Sequence, residues 1–202
     1  MLEELLKLTE TLDYEENGSI CVVGAVWKND KRDLELLIQC NTGGDDAIQN
    51  WSLLCESERE HRIKLGWGSY INVINDHVLL WPHIKAHFSL WFTGSTESAP
   101  AVVGELWQAH QKLVGKWLPF AHFINNSHDL EDMIAGGHGK LAYAPESLIS
   151  VYQGIMQKHG FKTSRPLLHG QGKPAVAPGE VVVLIVGDSY VVATAVEARQ
   201  TD

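Results

Sequence analysis

The chain has 202 residues, of which 45% are hydrophobic and 20% are charged, and these proportions exclude an intrinsically disordered protein. Its 25 Asp and Glu residues outnumber its 16 Lys and Arg residues, which gives a net charge of −9. Because an acid interrupts even the longest basic stretch, 28–32, we expect no electrostatic binding of nucleic acid or of an anionic membrane surface.

The first 81 residues are predicted to form a short helix followed by strands. Leucines share one face of 2–12, which predicts a helix. The β-rich runs Ile20–Trp27 and Leu34–Cys40 flank a polar turn at 28–32 and therefore predict a hairpin. Further strands are predicted at 51–57, 61–65, 70–74 and 77–81, with a break at Gly66-Trp67-Gly68.

The segment Pro82–Thr93 shows a two-residue period. Apolar residues occupy positions 84, 86, 88, 90 and 92, and mainly polar residues fill the alternate positions. This alternation predicts one long amphipathic strand rather than a helix. His83, His87 and Trp91 would then share the solvated face of that strand.

Helices are predicted for the next part of the chain. A wide apolar stripe over 102–117 predicts a helix that Ser98 caps and Pro119 ends. A short helix is predicted over 128–135, with Asn126 or Ser127 as its cap and Gly136-Gly137 at its end. A third helix is predicted over 145–159.

The C-terminal part is predicted to form a closing hairpin. The Gly- and Pro-rich stretch 163–180 has the composition of a linker. The runs Val181–Val186 and Tyr190–Val196 are strongly β-forming, and Gly187-Asp188-Ser189 joins them. Whether this hairpin pairs with the N-terminal strands stays open.

The order of elements indicates an α+β fold, because strands come first, helices follow and a hairpin closes the chain. We predict a mainly antiparallel sheet with about three helices on one face and a C-terminal β-hairpin. We treat residues 1–202 as a single domain, within which 1–162 would hold the main sheet and helices, and 180–198 the hairpin.

Two groups of residues contain side chains of the types that bind metal ions. His83 and His87 would lie about 13 Å apart along a strand, which is too far for one ion. His122, His128, Asp129 and His138 are ligand types in a short stretch, but they match no established spacing, and Asp129 is also explained as a helix cap. We therefore predict no cofactor, and this second group stays a weak metal candidate.

The loop Gly136–Lys140 superficially resembles a phosphate-binding loop. Leu141 follows Lys140, where a Ser or Thr is required, and the next helix begins several residues later. We interpret the loop as a flexible connector.

The seven tryptophans are more than double the roughly three expected for this length. Trp107 and Trp117 fall on the core stripe of the long helix. Trp91 lies on a solvated strand face, and Trp67 lies between two glycines. Exposed aromatic rings stack on sugars, bases or partner chains, although large core fillers are the commoner use of Trp. The candidate ligand-binding residues are Trp67, His83, His87 and Trp91.

The first 12 residues contain neither a basic start nor an uninterrupted apolar stretch, so we expect no signal peptide. Cys21, Cys40 and Cys55 are odd in number and widely spaced, which favours buried thiols in the cytoplasm. No motif carries a family resemblance.

Three functions follow, in order of preference. The first is a non-enzymatic binding or regulatory module that recognises a protein or small ligand through a sheet face bearing Trp and His. The second is a subunit of a homo- or hetero-oligomeric assembly, with the closing hairpin as its pairing edge. The third is a metal-dependent hydrolase using His122, His128, Asp129 and His138.

Overall fold

A computed structural model describes residues 1–14, 18–28, 32–43, 48–166 and 173–201. The chain divides into two compact units. The first unit comprises Met1–Leu80 and Pro178–Asp202, and the second comprises Trp81–Ala177. The helices are α1 (Leu2–Glu10), α2 (Trp81–Ile84), α3 (Ala99–Val114), α4 (Leu130–Ala135) and α5 (Glu146–Lys158), with 3-10 turns at Val78–Leu80 and Phe120–His122.

The described strands pair only with antiparallel neighbours, which confirms the predicted α+β class with antiparallel sheets. They are β1 (Ser19–Lys28), β2 (Asp33–Asn41), β3 (Ile48–Glu56), β4 (Glu60–Arg62), β5 (Gly66–Gly68), β6 (Ile71–Ile74), β7 (His87–Thr93), β8 (His138–Pro145), β9 (Lys162–Ser164), β10 (Val182–Val186), β11 (Ser189–Ala193) and β12 (Ala195–Thr201).

The described strands of the first unit form two sheets, in the orders β12-β3-β2-β1-β5 and β4-β11-β10-β6. Along β2 every second residue is buried, which is the pattern of a strand with one face towards a core. Side chains from both sheets and from α1 meet in one apolar cluster, which includes Leu5, Leu36, Leu53, Leu184 and Val191. Burial of these apolar side chains favours the assembly of strands that are distant in the sequence.

The predicted closing hairpin is confirmed as β10 and β11. Val186 pairs with Ser189, so Gly187 and Asp188 form a two-residue turn, and the positive φ of Gly187 (58°) fits the glycine that such turns favour at this position. β10 also pairs with β6, and β11 with β4, so both hairpin strands are internal. The hairpin is therefore not the free pairing edge that we predicted. In the other sheet of this unit, β12 is an edge strand.

In the second unit, a three-stranded sheet in the order β8-β7-β9 packs against α5 and α4, and α3 packs in turn against these two helices. The helix side of the sheet is identified by its contacts. The hydroxyl of Thr163 on β9 accepts hydrogen bonds from Gln153 and Gln157 of α5. Phe92 of β7 packs edge-on against Phe161, with 5.3 Å between ring centroids. This confirms the prediction of helices packed on a sheet face, and it distinguishes the α5 side of the sheet from the opposite side.

The predictions for 77–93 need correction. Val78–Ile84 is helical, and the strand begins only at His87. Proline has no N–H for a sheet ladder but fits the first turn of a helix, which suits Pro82 at the second position of α2. The Leu79 amide also donates to Nδ1 of His77, which helps to begin the turn. The apolar residues at positions 84 and 86 extend the two-residue period of β7, but they lie before the strand begins.

Four other boundaries differ from prediction. Gly66-Trp67-Gly68 is strand β5 rather than a break. The long helix ends at Gly115, whose φ of 60° terminates it before Trp117. The cap of α4 is Asp129, whose carboxylate accepts from the Asp132 amide. The predicted connector Gly136–Lys140 contains the first three residues of β8.

Parts of the predicted turns and linker lie outside the described residues, namely 29–31 and 167–172. At its start the predicted linker contains most of β9. The contacts place the closing hairpin in the same unit as residues 1–80, whereas the treatment of 1–202 as one domain remains a prediction. No helix among the described residues is long and apolar enough to cross a membrane.

Candidate ligand-binding face

The sheet face opposite α5 bears the candidate ligand-binding side chains. Residues that pair across antiparallel strands project to the same side of the sheet. Trp91 pairs with Lys140 of β8 and Ser164 of β9, and Thr93 pairs with His138 and Lys162. We call this side the open face. Ser89 and Pro145 on the same side are buried. The exposed and half-buried side chains of the face are His87, Trp91, Thr93, His138, Lys140, Tyr143, Lys162 and Ser164.

One end of the open face forms a cleft of about 370 Å³, which we call the Trp91 cleft. Its lining residues are Trp91, Phe92, Thr93, His138, Gly139, Lys162, Thr163, Ser164 and Pro166. Trp91 remains 39% exposed although it lies mid-strand. An indole with this exposure beside a Lys and a His offers both a stacking surface and positive charge.

The other end forms a second cleft of about 310 Å³, which we call the His87 cleft. It is lined by Pro82, Lys85, His87, His122, Phe123, Tyr143, Lys173 and Ala175. The amide of Val176 donates to the carbonyl of His83 at 3.1 Å, which holds the 173–176 segment against α2. Three separate parts of the second unit thus supply the cationic side chains of this cleft.

Tyr143 and Lys140 lie between the two clefts. The Tyr143 ring is 5.3 Å from the His87 ring, measured between centroids. Nζ of Lys140 lies 5.1 Å from the centre of the Tyr143 ring, which is a cation–π contact. The open face is therefore one continuous strip of aromatic and basic side chains.

The hydrogen bond of His87 defines its tautomer. Nδ1 lies 2.9 Å from the carbonyl oxygen of Lys85, and a carbonyl can only accept, so Nδ1 carries a proton. Nε2 is then the nitrogen that titrates. Burial lowers the pKa of His87 from its usual 6.5, and the charges of His122 and His83 lower it further. His87 is accordingly neutral at pH 7.

The charge of the chain is unevenly divided between the units. The second unit contains eight Lys and Arg residues against six Asp and Glu residues, whereas the first contains eight against nineteen. Eight of the ten histidines also belong to the second unit. Among the described residues, no carboxylate lines either cleft. Both clefts are thus electropositive pockets in an acidic protein.

A further histidine, His110 of α3, is fully buried and belongs to the scaffold. Its Nε2 donates to the carbonyl of Leu118, and its Nδ1 accepts from the hydroxyl of Tyr152, both at 2.8 Å. Burial lowers the pKa of His110 and raises that of Tyr152. This pair ties α3 to α5.

The four predicted ligand-binding residues do not form a single group. Trp67 belongs to the first unit, where it is 79% exposed on β5. His83 lies on α2, not on the strand face, although its charge acts on His87. His87 and Trp91 do share the open face, but they line different clefts.

The four weak metal candidates, His122, His128, Asp129 and His138, do not form a cluster among the described residues. No group of three or more His, Cys, Asp or Glu side chains that could hold a metal occurs in the part of the chain that is described. Nδ1 of His138 bonds to the Gly136 carbonyl, Asp129 caps α4, and His128 is exposed. His122 instead meets His87 in the His87 cleft.

Sequence reasoning missed Lys85, Tyr143, Lys162 and Lys173. Lys85 could have been found, because it lies two residues from His87 in a chain poor in basic residues. Lys162 and Lys173 come from sequence-distant segments and carried no signal. Tyr143 belongs to β8, whose beginning we interpreted as a connector.

No family model, no curated protein and no solved structure matches this chain. The function must therefore be argued from the open face and its two clefts.

Proposed function

We propose that this protein is a binding module whose second unit holds a small ligand in the Trp91 cleft. The ligand has a flat ring or sugar that stacks on Trp91 and an anionic group that faces Lys162 and His138. The observation that carries the proposal is a half-exposed indole inside a cleft lined by basic and hydroxyl side chains, with no carboxylate among its described residues.

The size and position of the Trp91 cleft support binding. Its volume of about 370 Å³ falls in the usual range for small-molecule sites, which begins near 300 Å³. The cleft lies on a sheet that packs against α4 and α5, so its walls are preorganised. Binding by a non-enzymatic module remains our preferred role. Among the described residues, no hydrogen bond joins a hydroxyl of the cleft to His138, whose Nδ1 bonds to the Gly136 carbonyl, and His138 is the only residue of a metal-ligand type in the described lining.

Replacing Trp91 with Ala tests this function. A library of anionic aromatic and nucleotide-like compounds is screened against the wild type by thermal shift, and hits are ranked by dissociation constant. For any hit that displaces solvent from Trp91, we expect Trp91→Ala to weaken binding by about 10- to 100-fold, since one stacked ring contributes about 1–3 kcal/mol.

The matched control is Trp107→Ala, because Trp107 is also exposed, at 51%, but lies on α3 outside both clefts. It should leave the dissociation constant unchanged. Equal losses in both variants, or a screen in which every hit binds Trp91→Ala as well as the wild type, would rule out the Trp91 cleft as the site.

A second candidate function is self-association through the first unit. β1, β5 and the residue before β5 expose several large apolar side chains, namely Val23, Val26, Leu65 and Trp67. Trp27 is also exposed, but it pairs with the buried Leu34 and therefore projects to the other side of the sheet. Cys21 and Trp67 pair across these strands, and the polar side chains Gln39, Asn50 and Ser52 lie farther along the same sheet. An apolar patch with a polar rim is typical of a protein interface, and here we commit to a second copy of the chain as its occupant.

Trp67→Ser tests self-association. If a second copy covers this patch, sedimentation velocity of the wild type should show a dimer at tens of micromolar, and Trp67→Ser should shift it towards monomer by about tenfold or more in dissociation constant. Trp107→Ser is the control and should sediment as the wild type does. A wild type that stays monomeric over the whole concentration range would exclude this candidate.

A further inference from the structure

We propose that the His87 cleft is a second binding site, specific for a small oxyanion, and that binding there is coupled to the uptake of one proton. The site is independent of the Trp91 cleft, because the two clefts share no lining residue. An oxyanion such as sulfate, phosphate or a carboxylate would meet two lysines and two histidines in a space of about 310 Å³.

The charges around the cleft favour an anion. Lys85 and His87 come from the junction of α2 and β7, His122 from the 3-10 turn and Lys173 from the segment that follows α5 and β9. Tyr143 of β8 adds a phenol, and Lys140 lies against its ring. None of the described lining residues is acidic, so no internal carboxylate neutralises these groups. Convergent cations without a counter-charge are the basis of oxyanion recognition.

The tautomer of His87 supplies the coupling. In the neutral ring Nδ1–H is committed to the Lys85 carbonyl, so Nε2 carries only a lone pair, which repels an anion. A proton from solvent on Nε2 converts this acceptor into a charged donor, while the bond at Nδ1 persists. His83 and His122 oppose that protonation in the empty cleft, together with burial. A bound anion offsets all three, so anion and proton should enter together.

The experiment titrates the histidine Cε1–H resonances of the full chain by NMR, with and without sodium sulfate at constant ionic strength. Sulfate is the probe because it stays a dianion from pH 5 to 8. We expect the pKa of His87 to rise by about one unit with sulfate, which corresponds to about tenfold tighter sulfate binding at pH 5 than at pH 8. His128, exposed and outside both clefts, should not respond.

Two variants separate the contributions. His87→Asn places an amide nitrogen near the position of Nδ1 and keeps the bond to the Lys85 carbonyl, but it takes up no proton in this range. It should reduce the tenfold pH dependence of sulfate binding and remove the assigned His87 resonance. Lys173→Gln lies on an exposed residue, so it should leave the fold intact and weaken sulfate binding by about three- to tenfold.

Three results would overturn the proposal: a His87 pKa that sulfate does not move, an equal shift of His128, or a His87→Asn protein with an unaltered pH dependence. Trp91→Ala should bind sulfate as the wild type does. Failure of the oxyanion site and failure of the Trp91 cleft are therefore separate outcomes of the two sets of variants.

Discussion

Replacing His110 with Ala should destabilise the second unit by about 3–5 kcal/mol. The substitution leaves a cavity where a fully buried ring packs against Phe120 and Phe123, and a cavity of this kind costs about 2–5 kcal/mol. It also leaves the Leu118 carbonyl and the Tyr152 hydroxyl without their partner, at about 1 kcal/mol or more each. Amide hydrogen exchange in α3 and α5 reports the free energy of opening this unit by itself.

The same histidine should make stability depend on pH. Its pKa is lowered in the folded state, whereas in the unfolded chain it is near 6.5. The unfolded state therefore binds the proton first, so the stability is present above pH 6.5 and falls as the pH drops through the folded pKa. The His110→Ala protein should show a shallower fall than the wild type between pH 7 and pH 5.

Two variants control this prediction. Tyr152→Phe removes only the hydroxyl and should cost about 1–2 kcal/mol, because Nδ1 of His110 loses its donor. His128→Ala changes an exposed histidine and should stay within about 0.5 kcal/mol of the wild type. A His110→Ala protein that loses less than about 1 kcal/mol, or that keeps the full pH dependence, would show that His110 does not join α3 to α5.

Most helices and strands could be predicted from local hydrophobic patterns in the sequence. The β-rich runs of β1 and β2, the helical stripes of α3 and α5 and the β-forming runs of β10 and β11 were all predicted from local sequence. In β2, α5, β10 and β11 the local pattern and the burial agree, which is why a single sequence is enough. The pairing of β12 with β3 and of β10 with β6 could not be predicted, because it depends on contacts between distant segments.

The errors in the candidate site have two causes. At 82–86 a local backbone preference, that of Pro82 for a helix start, competed with the two-residue period and won. That error placed His83 on the strand face and also concealed the turn that brings Lys85 beside His87. Trp107 was predicted to be buried, yet it is half exposed, because the apolar stripe of α3 is wider than the surface that its neighbours cover.

The net charge of the whole chain does not describe the local charge around the two clefts. A charge of −9 for the whole chain argues against anionic ligands only if the charge is evenly spread. The acids are concentrated in the first unit, and the basic side chains of the second unit converge on two clefts. Convergence of Lys162 and Lys173 with strand residues far from them in sequence is a tertiary property, and composition cannot report it.

The glycine-rich stretch 136–140 illustrates the same limit and gives the second large prediction. Gly137 has a φ of 77°, in the left-handed region that costs other residues about 1–2 kcal/mol. A Cβ there would also collide with the carbonyl oxygen of Gly94, whose amide donates to the Gly137 carbonyl at 2.8 Å. We therefore expect Gly137→Ala to destabilise the second unit by about 2–4 kcal/mol and to break this link between the ends of α4 and β7.

Matched glycines decide whether the close backbone approach is responsible. Gly104 lies inside α3 with open space around it, so Gly104→Ala should stabilise the unit by about 0.5–1 kcal/mol. At Gly139 the added carbon would meet only the flexible Met133 side chain, at 2.9 Å, but the φ of 154° also favours glycine. Gly139→Ala therefore tests backbone strain without a collision with another backbone atom. Hydrogen exchange in β7 and β8 measures all three. If Gly137→Ala is as stable as Gly104→Ala, the motif is the loose connector that its sequence suggests. If it is not, these glycines fix the end of β8 that carries His138, and they help to position one wall of the Trp91 cleft.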